Sequence, residues 1–283
     1  MAPACDFCGK PAKSKEHIIA SQIVELLATD PRGFSRPTNL MLSHGFGGPI
    51  VQTRRGKPGG TKSKPTVEFT RRVCKGCNNG WMNRVDLAAM PSLARMMRGD
   101  PLVLDVDAQA KVAAWIAKVA VVSRFAHLPH HIGEVPAPVA KSWTAWLYTH
   151  HTALPHWHVW LARYNGSEPF IYSGEDIRVD AEGQGTIIPH GVYATIVLGY
   201  LGIQLLGLDE GAVLLDPYSD PYRVSSIWPE RKSDVGWPPW LSYDDSNVRG
   251  FVHRLTPQAP IPPGMVDGGG RQIDWSAYGG SEE

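Results

Sequence analysis

Cys74-Lys75-Gly76-Cys77-Asn78-Asn79-Gly80-Trp81-Met82 is the stretch on which the fold turns. A Cys-x-x-Cys turn presents two thiolates to one metal ion, and Gly76 inside it lets the backbone curl until its amides point at the sulfurs. Trp81, Met82 and Val85 then begin an apolar helical pattern. The other two cysteines of the chain form a second such pair, Cys5 and Cys8, followed by Gly9-Lys10. Two Cys-x-x-Cys turns give the four soft ligands of a tetrahedral structural Zn²⁺ site. The pairs are separated by 65 residues, far more than a compact zinc ribbon uses, so the metal would pin two distant segments and close the loop between them. A redox dithiol needs only one pair in a thioredoxin-like context, which the flanking sequence lacks. Structural disulfides do not suit a chain without a secretion signal.

Length and composition fit this reading. The chain has 283 residues, 43% hydrophobic and 19% charged, enough for one large or two modest domains with a sizeable core. Ten Trp, nine Tyr and seven Phe exclude wholesale disorder, and four Cys are too few for a disulfide scaffold. The net charge of +1 hides an asymmetry: residues 1–100 hold 16 Lys+Arg against 7 Asp+Glu, and residues 101–283 hold 12 against 20. A basic half joined to an acidic half points to a polyanionic partner for the first half. The start Met1-Ala2-Pro3-Ala4-Cys5 has no basic segment leading into an apolar run. The longest apolar stretch, Val192 to Leu208, is interrupted by Gly199, Gly202, Gln204 and Gly207 and reads as paired strands. A soluble, intracellular, cytoplasmic protein with no membrane partner is the expectation.

Between the two cysteine pairs lies Lys15-Glu16-His17-Ile18-Ile19, and Asn78 follows the last cysteine directly. This order resembles the zinc-containing HNH (His-Me finger, ββα-metal) endonucleases, over roughly the first hundred residues. The resemblance implies a zinc on Cys5, Cys8, Cys74 and Cys77. It implies His17 as general base, and Glu16 and Asn78 as ligands of one catalytic Mg²⁺ or Mn²⁺ ion. The residue types suit phosphodiester hydrolysis. A neutral imidazole with a pKa near ~6.5 takes a proton from water at physiological pH, and a carboxylate and an amide oxygen are hard ligands for such an ion. The four-thiolate zinc would have no open position for chemistry. Two positions depart from the family pattern. Ala20 stands where a Pro is usual, and Phe69 stands where many members carry an Asn that orients the His.

The intervening loop, 31–72, carries Arg54, Arg55, Lys57, Lys62, Lys64, Arg71 and Arg72, opposed by Glu68. Flexible cations suit sequence-independent phosphate contacts, which makes nucleic acid, as double-stranded DNA, the expected partner. A solubilising loop is the plainer reading.

The remaining sequence divides into elements. Ile19, Ile23 and Leu26 mark a short helix. Pro91 is expected to open a second short helix after that of Trp81. A long helix over 105–126 starts at Asp105, and another covers 137–148. Strands are expected at 157–164, 170–172, 192–206 as a hairpin, and 222–228. Seven of the 11 His fall between His127 and His158 and read as loop and strand composition. Trp143, Trp146, Trp157 and Trp160 read as core.

The expectation is therefore an α+β protein. A zinc-stabilised ββα-metal module at 1–100 precedes a helical and antiparallel-β domain at 101–256, which offers a surface for homo-oligomerisation. A Pro/Gly-rich tail at 257–283 reads as poorly ordered. The expected activity is metal-dependent hydrolysis of DNA phosphodiester bonds. The alternatives are a non-catalytic zinc-dependent nucleic-acid-binding protein and a structural or protein-interaction zinc module.

Overall fold

In a computed structural model the described residues are 3–12, 14, 16–27, 41–44, 69–70, 72–125, 140–166, 170–175, 192–207, 222–229, 233–244, 246–247 and 251. The fold is α+β, mixing helices with a largely antiparallel sheet. Most of the basic loop and the whole of 257–283 lie outside the described residues.

A small N-terminal unit comes first. β1 (Glu16–His17) pairs antiparallel with β3 (Phe69–Thr70). α1 (Ser21–Leu27) follows β1 and buries Ile23. The second cysteine pair opens a helical run made of α2 (Lys75–Cys77), a widened turn over Asn78–Met82, and α3 (Asn83–Arg98). The run bends at Gly80, whose φ/ψ of −93°/−109° is not helical. Pro91, expected to open a new helix, instead lies inside the continuous α3. A proline removes one i→i−4 hydrogen bond, here to the carbonyl of Leu87. Pro91 and Leu87 are both exposed, so the break in the ladder falls on the solvent side of α3.

α3 ends at Gly99, whose φ of +77° closes the helix by donating its N–H to the carbonyls of Arg95 and Met96. A Cβ there would sit 2.9 Å from the Tyr200 ring, so only glycine fits. Tyr200 in turn donates its backbone N–H to Met97 O at 2.9 Å. The end of the helix that starts at the cysteine pair is thus seated on the main sheet.

β4 (Leu102–Leu104) pairs antiparallel with β10 (Val235–Trp237). α4 (Val106–Arg124) starts where the sequence places it, with the Asp105 carboxylate accepting from Ala108 N at 2.7 Å. Such a cap is worth about 1 kcal/mol. α4 is buried almost all round, from Val112 to Val122, because α3 lies on one side of it and the sheet on the other. α5 (Lys141–His150) places Trp143 and Leu147 in the same core.

Among the described residues the main sheet has seven strands. Its order is β11 (Ser242–Tyr243), β5 (His158–Tyr164), β8 (Leu201–Gly207), β7 (Val192–Leu198), β6 (Phe170–Glu175) and β2 (Met41–His44), with β9 (Val224–Trp228) also pairing with β5. The central pairings are antiparallel; β2 with β6 and β11 with β5 are parallel. The period-2 rule sorts the side chains. Val159, Leu161, Val192, Ala194, Ile196, Leu201, Ile203 and Leu205 join one continuous core with the helices and the cysteine turns. The intervening Trp160, Tyr193, Thr195 and Gln204 are buried on the opposite face, where Gln204 donates to Thr195 Oγ1 and to the carbonyl of Phe251. No helix among the described residues is long and apolar enough to cross a membrane.

Candidate metal centre

The first cysteine turn is built by short-range backbone geometry. Cys5 donates its N–H to Lys10 O at 2.7 Å, and Gly9 donates to Cys5 O at 2.9 Å with a φ of +74°. This reversal suits glycine and brings Cys5 and Cys8 to one side. The second turn is the start of a helix: Cys74 is its N-cap, and the Cys77 N–H donates to Cys74 Sγ at 3.4 Å.

The two turns meet. Cys5 Sγ lies 3.9 Å from Cys77 Sγ and Cys8 Sγ lies 3.5 Å from Cys74 Sγ. All four sulfurs fall within 4.8 Å of one another. A tetrahedral ion with Zn–S bonds of ~2.3 Å requires sulfurs about 3.8 Å apart. The observed spacings bracket that value and far exceed a disulfide bond of about 2.05 Å; all four cysteines are free thiols. The four are therefore close enough to hold a metal ion and are consistent with a zinc site.

Electrostatics point the same way. Burial pushes the Cys74 thiol up, but the Cys77 backbone N–H and the neighbouring thiols outweigh it, and Cys74 titrates at about 7. Burial and the adjoining sulfurs push Cys77 far above the ordinary thiol range. Burial also raises Cys8, against the Lys10 backbone N–H, which favours its thiolate. Thiols packed this closely cannot all ionise without a cation among them. Trp81 adjoins this cluster: its buried Nε1 has no hydrogen-bond partner among the described residues, and its side chain lowers the pKa of Cys77 against the effect of burial.

No family model, curated protein or solved structure matches this chain.

The other site residues inferred from the sequence are placed as follows. His17 is exposed on β1, with Phe69 opposite it in the ribbon. Glu16 stands opposite Thr70; its side chain lies outside the described residues. Asn78 is half-buried at the end of α2, and its Nδ2 donates to Ser14 Oγ at 2.7 Å. The helix-leading amide is thereby tied to the chain two residues ahead of Glu16. Asn79 is exposed. Arg54, Arg55, Lys57, Lys62, Lys64 and Arg71 lie outside the described residues.

Arg72 is described, and its guanidinium forms a bidentate pair with Asp6, Nε to Oδ2 and Nη2 to Oδ1 both at 2.7 Å. The hydrogen bonds from Arg72 to Asp6 hold its pKa above the ordinary value, against burial. Asp6 and Ser14 carry no motif of their own. An acid inside one cysteine turn and an arginine two residues before the other was the available signal for their pairing. Trp81 reads from sequence as a core residue. Its place beside Cys77, with the Phe7 edge at 5.3 Å and the His151 ring stacked at 5.5 Å, depends on long-range packing.

Proposed function

We propose that the protein is an HNH-type, divalent-metal-dependent endonuclease that hydrolyses DNA phosphodiester bonds, built around a structural Zn²⁺ on Cys5, Cys8, Cys74 and Cys77. The observation that carries the reading is the order of elements. A two-stranded antiparallel ribbon bearing Glu16-His17 is followed directly by the helix that starts with the second cysteine pair and Asn78. Two strands followed by a helix support the ββα arrangement that the resemblance implies.

In this reading His17, exposed on the ribbon, accepts the proton of the attacking water through a ring nitrogen. Glu16 and Asn78 would hold a Mg²⁺ or Mn²⁺ ion; the Asn78 nitrogen donates to Ser14, which fixes the amide. When bound, that ion polarises the phosphate and offsets charge on the leaving 3′ oxygen. The loop cations Arg54, Arg55, Lys57, Lys62, Lys64 and Arg71 hold the DNA backbone.

The test is plasmid cleavage by the full chain with Mg²⁺ or Mn²⁺, beside His17→Ala at equal zinc content. Cleavage by wild type and its loss in the variant support the reading. Binding without cleavage favours the second reading, a zinc-dependent nucleic-acid-binding protein. One observation supports that alternative: the position opposite His17 is Phe69, which offers no amide to orient an imidazole.

A further inference from the structure

We infer that the Trp81 indole N–H donates a hydrogen bond to the Cys77 sulfur when that sulfur is a metal-bound thiolate, so that Trp81 is a positioning residue of the four-cysteine centre. The inference rests on the metal reading of the four thiols. It concerns their surroundings and is independent of whether the protein cleaves DNA.

A buried indole N–H ordinarily has an acceptor. Trp81 is 4% exposed, and its Nε1 has no hydrogen-bond partner among the described residues. Trp81 follows Cys77 by four residues across the widened turn that bends at Gly80, and its indole side chain lowers the Cys77 pKa, which sets it beside that sulfur. The ring is held from two directions. Phe7, from inside the first cysteine turn, meets it edge-on with a centroid distance of 5.3 Å and an interplanar angle of 66°. His151 stacks on it at 5.5 Å and 8°. These contacts fix the ring plane and with it the direction of the N–H.

The centre calls for such donors. A divalent ion with four thiolates carries two net negative charges, and three of the four sulfurs belong to buried residues. Hydrogen bonds from outside the ligand shell spread that charge and orient the ligands. Cys74 receives the Cys77 backbone N–H, and Cys8 is served by that of Lys10. The Trp81 indole supplies the corresponding donor to Cys77. Because Phe7 bears on the same ring, the first cysteine turn helps to aim a donor at the second.

Cadmium-113 substitution in the full chain tests this by proton–cadmium correlation NMR. The expected result is scalar coupling from cadmium to the β-protons of Cys5, Cys8, Cys74 and Cys77 and also to the indole Hε1 of Trp81, transmitted through the Cys77 sulfur. Trp81→Phe keeps a ring and removes the N–H; it is expected to weaken zinc retention against a chelator about tenfold. Coupling to the four cysteines with none to Trp81 overturns the inference and leaves the four-thiolate centre standing. Cadmium that does not couple to the four cysteines overturns the centre and the inference together. The wild-type coupling decides the matter even where Trp81→Phe fails to fold.

Discussion

His17 and Phe69 are directly opposed across the β1–β3 ribbon. Opposed residues of an antiparallel pair hold their Cβ atoms about 4.5–5.5 Å apart, so position 69 is where a cross-strand group would orient the imidazole. Phe69→Asn supplies an amide at that position. In the nuclease reading it is expected to raise the initial rate of plasmid nicking several-fold, with zinc content unchanged. Adding His17→Ala to it should abolish the gain. An unchanged rate in Phe69→Asn would mean that the orientation of His17 does not come from this position.

A second relationship lies deeper. Lys118 Nζ is 2.7 Å from Asp86 Oδ1, with the lysine side chain fully buried and the aspartate 9% exposed. The pair crosses the α3–α4 interface, which links the helix of the metal centre to the sheet. Removing one partner of a buried pair leaves an uncompensated charge and costs about 3–5 kcal/mol. Asp86→Asn and Lys118→Met should each lower the unfolding free energy by that amount, read from the urea midpoint and slope. The double variant Asp86→Leu/Lys118→Met should recover most of the loss, because neither charge then remains. Equal losses in single and double variants would show that the pair is not the source.

The sequence made local structure legible wherever a side chain and its own backbone decide it. Asp105 at the start of α4, the hairpin β7–β8, and the two cysteine turns all follow from residues within a few positions of one another. Relations set by distant packing were not legible. Met41–His44, inside a stretch without periodicity, becomes a parallel edge strand beside β6, because a parallel partner far along the chain leaves no local pattern. Pro91 misled because the cost of a proline depends on whether the freed carbonyl meets solvent, which only the fold decides. Lys118 sits on the buried helix α4, where an apolar stripe gives no sign that a cation is matched by Asp86.

His151 gives a pH prediction. It is the C-cap of α5, with a φ of 57°, and it stacks on Trp81. Burial, chiefly, and the charge of Arg84 hold its pKa below the ordinary 6.5, against a hydrogen bond with the Tyr148 backbone. The folded state therefore binds this proton less readily than the unfolded state. The stabilisation is complete above the unfolded pKa and is lost as pH falls from there through the folded value. His151→Asn tolerates the same backbone conformation and does not titrate. Its unfolding free energy should lose less than that of wild type between pH 7 and pH 5, measured by urea titration. Parallel pH profiles for the two proteins would show that His151 does not contribute.

Asp6 and Arg72 link the two cysteine turns. Besides the bidentate pair, Asp6 donates its backbone N–H to Arg72 O at 3.1 Å. The Arg72 side chain is 43% exposed, so solvent screening limits the coupling to about 1 kcal/mol. A double-mutant cycle of Asp6→Asn and Arg72→Ala should show non-additivity of that order, read from chelator-induced unfolding. The same variants separate structure from DNA contact. A phosphate-contacting arginine contributes about one unit to the salt slope of DNA binding. If Arg72 serves only to join the turns, Arg72→Ala and Asp6→Asn weaken metal retention alike and leave the salt slope as it is in wild type. If it also meets phosphate, Arg72→Ala lowers the slope and Asp6→Asn does not. The bidentate pairing with Asp6 already gives the guanidinium a carboxylate counter-charge, so the first pattern is the expected one.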